Sequence, residues 1–194
     1  MGNGKQEAVF ELVRGLSKAE KRNFKLFAAR STNKQGAQFI ALFDALDALE
    51  EYDEARVLRK TGIRKEQLPN VKSYLYRQIL VSVRLLHVQH IDVMEVRQMV
   101  DFARILYDKN MFWQALQMLD RAKTQALALQ NFTLALEIVE FEKRVESLHM
   151  KRTATGRAAL LSEQAETLAK RIANINELSN LSVQLYSLNL QLGY

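Results

Sequence analysis

His87 and His90 are the only closely spaced histidines in the chain. A three-residue step puts both imidazoles on one helix face, where they could share a divalent metal. No acidic residue stands on that face within the helix, and Asp92 is the nearest. The pair therefore reads as two half-exposed histidines at a helix end, and His149 stands alone. Asp44 with Asp47, and Glu50 and Glu51 with Asp53 and Glu54, form carboxylate clusters. General acid–base work or a di-metal centre would need them buried beside a partner. They fall where one helix ends and the next begins, so solvation and capping account for them. The sequence holds no P-loop, Rossmann glycine pattern, zincin motif or nucleophile elbow. Gly156 lies in the basic stretch 151–157, which could touch phosphate but reads as a connector. Trp113, Phe112 and the leucine stripes read as core. We expect no catalysis, no cofactor and no metal.

Basic residues are more informative. Residues 14–34 hold seven basic residues and one acidic residue, and residues 56–77 again hold seven against Glu66 alone. Lys18, Lys21, Arg22 and Lys25 recur at steps of three and four along one side of a helix. In the second stretch, Leu58, Gly62, Leu68 and Val71 have the spacing of a helix-turn-helix contact, its turn glycine and its second-helix core positions. Lys60, Arg64, Lys65 and Lys72 would then face phosphates. Pro69 complicates this, because a helix starting there pushes Arg64 and Lys65 into the turn. These eight cations form the candidate partner-binding patch. A solvated basic surface, or a patch for an acidic protein, is the preferred reading, and nucleic acid the alternative.

The elements that must position these groups are helical. The 194 residues include one proline, seven glycines and no cysteine. That is too little punctuation for an all-β sandwich or barrel, and no disulfide or cysteine zinc site is available. Net charge is +6. Residues 1–100 hold 17 basic and 12 acidic residues, and 101–194 hold 11 and 10, so the excess is N-terminal. No apolar run is long enough to span a bilayer. Residues 1–6 lack a secretory core, and Gln6 stands where acylation of Gly2 favours Ser or Thr. We expect a cytoplasmic protein without a membrane partner.

Apolar residues recur at three- and four-residue steps almost throughout. The pattern predicts helices over 6–14, 17–29 (with a Ser17/Glu20 capping box), 39–49, 53–60 (capped by Asp53) and 70–88 (Pro69 in its first turn). Further helices are expected from Asp92 to about 108, over 111–129, and from Asn131 along the stripe Leu134, Ile138, Phe141, Val145, Leu148. The helix after Pro69 is apolar almost all round and should be central. The last segment carries two heptad-like seams. The first is Ala158, Leu161, Ala165, Leu168, Ile172, Ile175; the second is Leu178, Leu181, Leu185, Leu188, Leu192. A phase slip at 174–176 separates them and suggests a turn between two helices.

Met99, Phe102, Ala103 and Leu106, followed by Ala115, Leu119 and Ala122, match the spacing of one tetratricopeptide unit, and this part of the chain resembles that family. The closing proline is missing. One period later the pattern meets Thr133, Glu137 and Glu140 and fails. Instead, Asn131-Phe132-Thr133-Leu134-Ala135-Leu136 echoes residues 110–116 about twenty residues on. The stretches 16–27, 42–47, 74–80 and 82–86 resemble an uncharacterised group of Bacteroidetes helical-repeat proteins over roughly the first 150 residues. That resemblance implies a helical solenoid with no established activity, and a longer protein.

The expectation is one all-α domain over 1–194, of eight to ten helices stacked as antiparallel hairpins in a tetratricopeptide-like superhelix. Residues 151–157 mark its candidate sub-boundary. Its expected function is protein–protein interaction or scaffolding, by a groove that receives a peptide or helix. Val183, Leu185, Tyr186, Leu188, Leu190 and Leu192 cover more than one side of the last helix. They form a candidate apolar association surface, for a second copy or for helices beyond this sequence.

Overall fold

A computed structural model describes residues 3–30, 34–88, 92–149 and 156–192. The described residues form nine α-helices and no strand: α1 Asn3–Gly15, α2 Lys18–Ala29, α3 Lys34–Asp47, α4 Glu54–Thr61, α5 Leu68–His87, α6 Asp92–Asp108, α7 Phe112–Ala128, α8 Phe132–His149 and α9 Arg157–Leu192. The chain divides into two compact units, Met1–Val88 and Gln89–Tyr194. The sequence reading has a single domain with a sub-boundary at 151–157. The division falls instead between α5 and α6, where no glycine, proline or composition shift announces it. Residues 151–155 lie outside the described residues, but α8 and α9 on either side of them pack together within one unit.

In the N-terminal unit, local signals set the helix ends. Ser17 N donates to Glu20 Oε2 at 2.7 Å and Glu20 N to Ser17 Oγ at 3.2 Å, the reciprocal pair that starts α2. Asp53 Oδ1 accepts from Arg56 N at 3.0 Å and starts α4. Gly62, at φ +66°, ends α4 in the left-handed conformation that glycine adopts without a Cβ clash. Pro69 sits in the first turn of α5. The core gathers Val13, Phe24, Leu42, Phe43, Leu46, Val57, Leu75 and Ile79. The Phe24 and Phe43 rings lie 4.7 Å apart between centroids. Helix α5 packs on α1, α2 and α3, a central position. Only one side of it is covered, however, and Tyr76, Leu80, Val81 and Leu85 remain exposed.

In the C-terminal unit, α6, α7, α8 and α9 each pack on the next. Ala103, Ala115, Ala122, Ala126 and Ala135 are fully buried, and their small side chains allow close helix approach. The twenty-residue echo has a structural cause. Met111 N donates to Leu106 O and Asn110 N to Tyr107 O. At the next corner, Asn131 N donates to Ala126 O and Gln130 N to Leu127 O. Asn110 and Gln130 hold φ near +60° and +54°. Both corners are the same Schellman motif, so the echo repeats one helix plus one corner.

Three expectations are corrected in this unit. The last segment is one 36-residue helix, not two. Residues 174–176 contain no glycine or proline, so the backbone ladder continues and the phase slip only changes which face is apolar. Trp113 is 61 % exposed and is not core, because the α7 face turned inward is that of Ala115, Leu116 and Leu119. Leu148 is exposed as well, at the end of its stripe.

Candidate functional site

Of the eight cations of the candidate patch, seven reach solvent and Lys72 does not. Lys18, Lys21, Arg22 and Lys25 line a shallow depression on α2 with Leu26. Two of them are already paired: Lys21 Nζ lies 2.6 Å from Asp47 and Lys25 Nζ 2.7 Å from Asp44. The Asp44 carboxylate holds the Lys25 ammonium above the usual lysine range. The α3 carboxylates thus face the α2 cations, which refines their reading as a solvated cluster. Lys60, Arg64 and Lys65 are exposed around the Gly62 turn, and Arg64 and Lys65 stand between α4 and α5.

Lys72 is a correction. It is 4 % exposed, and its Nζ donates to the Tyr52 hydroxyl and lies 3.9 Å from Glu54 Oε2. The same ammonium sits 4.5 Å from the centre of the Tyr52 ring. Burial pushes its pKa down, opposed by Glu54. A side chain held this way cannot meet a phosphate. Its position three residues before Leu75 and seven before Ile79 puts it in phase with the buried side of α5.

His87 meets a partner that reasoning within one helix could not supply. Its Nε2 is 2.8 Å from Glu20 Oε1, so the carboxylate that caps α2 also ties α2 to α5. The His87 contact and the Ser17 amide hold the Glu20 carboxyl below the usual range. His90 lies outside the described residues. Among the described residues no three histidine, aspartate or glutamate side chains could hold a metal ion, and no helix is long and apolar enough to cross a membrane.

The C-terminal unit contains the better-defined site. Glu142 on α8 is fully buried and accepts from Lys123 Nζ on α7 at 2.7 Å. Lys123 is itself buried, with Asp120 at 3.5 Å and Gln164 Oε1 of α9 at 3.5 Å. Arg157, at the start of α9, reaches Glu142 at 3.4 Å and Glu146 at 3.2 Å. Three helices are therefore joined by one polar network. Burial pushes the Glu142 carboxyl up, and Lys123 and then Arg157 pull it back. Arg157 closes the basic stretch 151–157, so it braces the helix pair instead of offering a phosphate contact; Lys151, Arg152 and Thr155 lie outside the described residues.

Lys123 forms part of the floor of a groove of about 490 Å³ between α7, α8 and α9. Leu127, Phe132, Val139, Leu160 and Leu168 give it an apolar wall, and Glu163, Gln164 and Thr167 stand along α9. Arg171 lies over the Phe132 ring, 5.3 Å from its centre, and makes no ion pair among the described residues. Such a cleft can hold an apolar side chain and offer a cation beside it.

The chain matches no family model, no curated protein and no solved structure. The site therefore rests on its own geometry. Lys123, Glu142, Gln164 and Arg171 were not singled out from the sequence. The available signal is weak: Lys123 stands four residues after Leu119 and Glu142 four after Ile138, both in phase with core positions. A charge in phase with the core needs a partner, but the sequence does not say that these two are each other's.

Of the candidate association residues on α9, Val183, Leu185, Tyr186, Leu188 and Leu190 are exposed. The side chain of Leu192 falls outside the described residues.

Proposed function

We propose that this chain is a passive protein-interaction module whose C-terminal unit receives an amphipathic, acid-bearing peptide helix. The observation that supports this reading is the groove between α7, α8 and α9. It combines an apolar wall with Arg171, whose guanidinium has no carboxylate partner among the described residues. An aliphatic or aromatic anchor would fill the cleft, and a carboxylate one helical turn away would reach Arg171. The Lys123–Glu142–Arg157 network would keep the floor rigid, so little ordering is needed on binding. In this reading α6 to α9 are tetratricopeptide-like hairpins and the module performs no turnover. We place it in the cytoplasm, with which the absence of cysteine is compatible.

Selection from a displayed peptide library tests the proposal. Enriched peptides should carry a bulky apolar residue and an Asp or Glu three or four positions away. Binding should fall on Leu160→Lys and on Arg171→Glu, with unchanged helicity and melting. No enrichment, or binding indifferent to both substitutions, contradicts it.

One observation favours nucleic acid as a second reading: Lys60, Arg64 and Lys65 are exposed together around the Gly62 turn. That reading predicts a steep loss of affinity with salt in a mobility-shift titration, and loss on Lys60→Glu, Arg64→Glu and Lys65→Glu. It has lost Lys72 to the core, and Lys21 and Lys25 to carboxylates, so it is the weaker of the two.

A further inference from the structure

The distal half of α9 belongs to no packed layer. Every described side chain from Ala173 to Gln191 is exposed, with Leu178 at 68 % and Leu185 at 63 %. An isolated helix of this length, containing Ser, Asn and Val, gains little from propensity; helices in proteins are stabilised by packing an apolar face. Two such faces are present here. At about 100° per residue, Val183, Tyr186 and Leu190 continue the line of Leu161, Leu168 and Ile172, which faces the unit's own core. The slip at 174–176 rotates the seam of Leu178, Leu181, Leu185 and Leu188 by roughly 140° from that line. This seam points away from the side on which α8 packs, so α8 leaves it uncovered.

We propose that the leucine seam of α9 pairs with the same seam of a second copy of this chain. Leucines alternate at steps of three and four, filling both seam positions of a coiled coil. The positions flanking the seam are Glu177, Ser182, Gln184, Asn189 and Gln191, so a single charge stands at its start and no residue from 178 to 192 is charged. Flanking charges are what usually direct a coiled-coil helix to a different partner. Beyond Glu177, two identical seams meet with no like-charge opposition. A two-fold arrangement buries the same leucines on both copies. This inference does not depend on the groove between α7, α8 and α9.

Analytical ultracentrifugation of the full chain across a concentration series tests it. The expected result is a concentration-dependent dimer or larger even-numbered species. Leu185→Glu, at an exposed position, should move the association midpoint up by on the order of a hundredfold or more. Val183→Glu, on the other face, should leave it within a few-fold. Circular dichroism on the diluted Leu185→Glu protein should show lost helicity limited to the distal segment. A monomeric wild-type chain at every concentration overturns the proposal. So does equal loss of association in both variants, or association unaffected by Leu185→Glu.

Discussion

Among the described residues each unit of this protein buries one lysine, and the two are held in different ways. Lys72 in the N-terminal unit has a neutral phenol at its tip, an aromatic face beside it and a carboxylate at 3.9 Å. Lys123 in the C-terminal unit has a fully buried carboxylate at 2.7 Å, itself held by an arginine. Removing Lys72 would leave no buried charge, because Glu54 is partly solvated and the Tyr52 hydroxyl retains Glu54 at 3.3 Å. Removing Lys123 would leave Glu142 buried and short of its main partner. Charge is divided in the same uneven way: residues 1–88 hold 16 basic and 10 acidic residues, and 89–194 hold 12 of each. The net charge belongs to the first unit and the committed, buried ion pair to the second. The positive excess and the proposed docking groove are thus separate features.

The largest effect that would sharpen this contrast is expected at Lys123. Lys123→Met should destabilise the C-terminal unit by about 3 kcal/mol in urea melts, with uptake of a proton by Glu142 limiting the loss. The double variant Lys123→Met with Glu142→Leu should recover most of it. A single variant with wild-type stability would show that the pair is not held as described. At the corners, Gly62→Ala should cost about 1 kcal/mol from backbone strain alone, since nothing lies within 4 Å of an added Cβ.

Lys72→Met should change stability by less than about 1 kcal/mol, because the methionine follows the lysine stem without leaving an unpaired charge. Its pH dependence carries the sharper signature. A lysine with a lowered folded pKa binds fewer protons in the folded than in the unfolded state. Stability of the wild type should therefore rise with pH from the lowered value up to the ordinary 10.5, and Lys72→Met should abolish that rise. At the acid end the sign is opposite for Glu20, whose carboxyl is held down. Its contribution is present above the ordinary 4.5 and is lost as pH falls through the lowered value, so Glu20→Gln should flatten that limb in pH-dependent melts. The smallest effect is a gain. Gln130→Gly should stabilise by about 0.5 kcal/mol, since a glutamine now occupies the left-handed corner that Gly62 fills in the other unit.

What the sequence made legible was local. Ser17 with Glu20, Asp53, Gly62 and Pro69 act within one helical turn, and each does in the structure what its spacing predicts. The all-helical class follows from the same three- and four-residue steps. The polar network was not legible, because Lys123, Glu142 and Arg157 meet only after three helices have packed. Lys72 was misplaced for a related reason: a lysine in a basic run looks solvated until the helix phase puts it behind Tyr52. Trp113 carried no marker of exposure, since size and hydrophobicity say nothing about which side of α7 turns inward. The slip at 174–176 was visible as a change of seam, but not as a change of face on one continuous rod.

Photo-crosslinking in the native cell compares the two regions most directly, with a benzophenone side chain placed at Leu160 in one experiment and at Lys65 in another. A docking groove in the C-terminal unit predicts discrete protein adducts from position 160, lost on Arg171→Glu, and none of comparable yield from position 65. Nucleic-acid adducts from position 65 with none from position 160 would contradict the account.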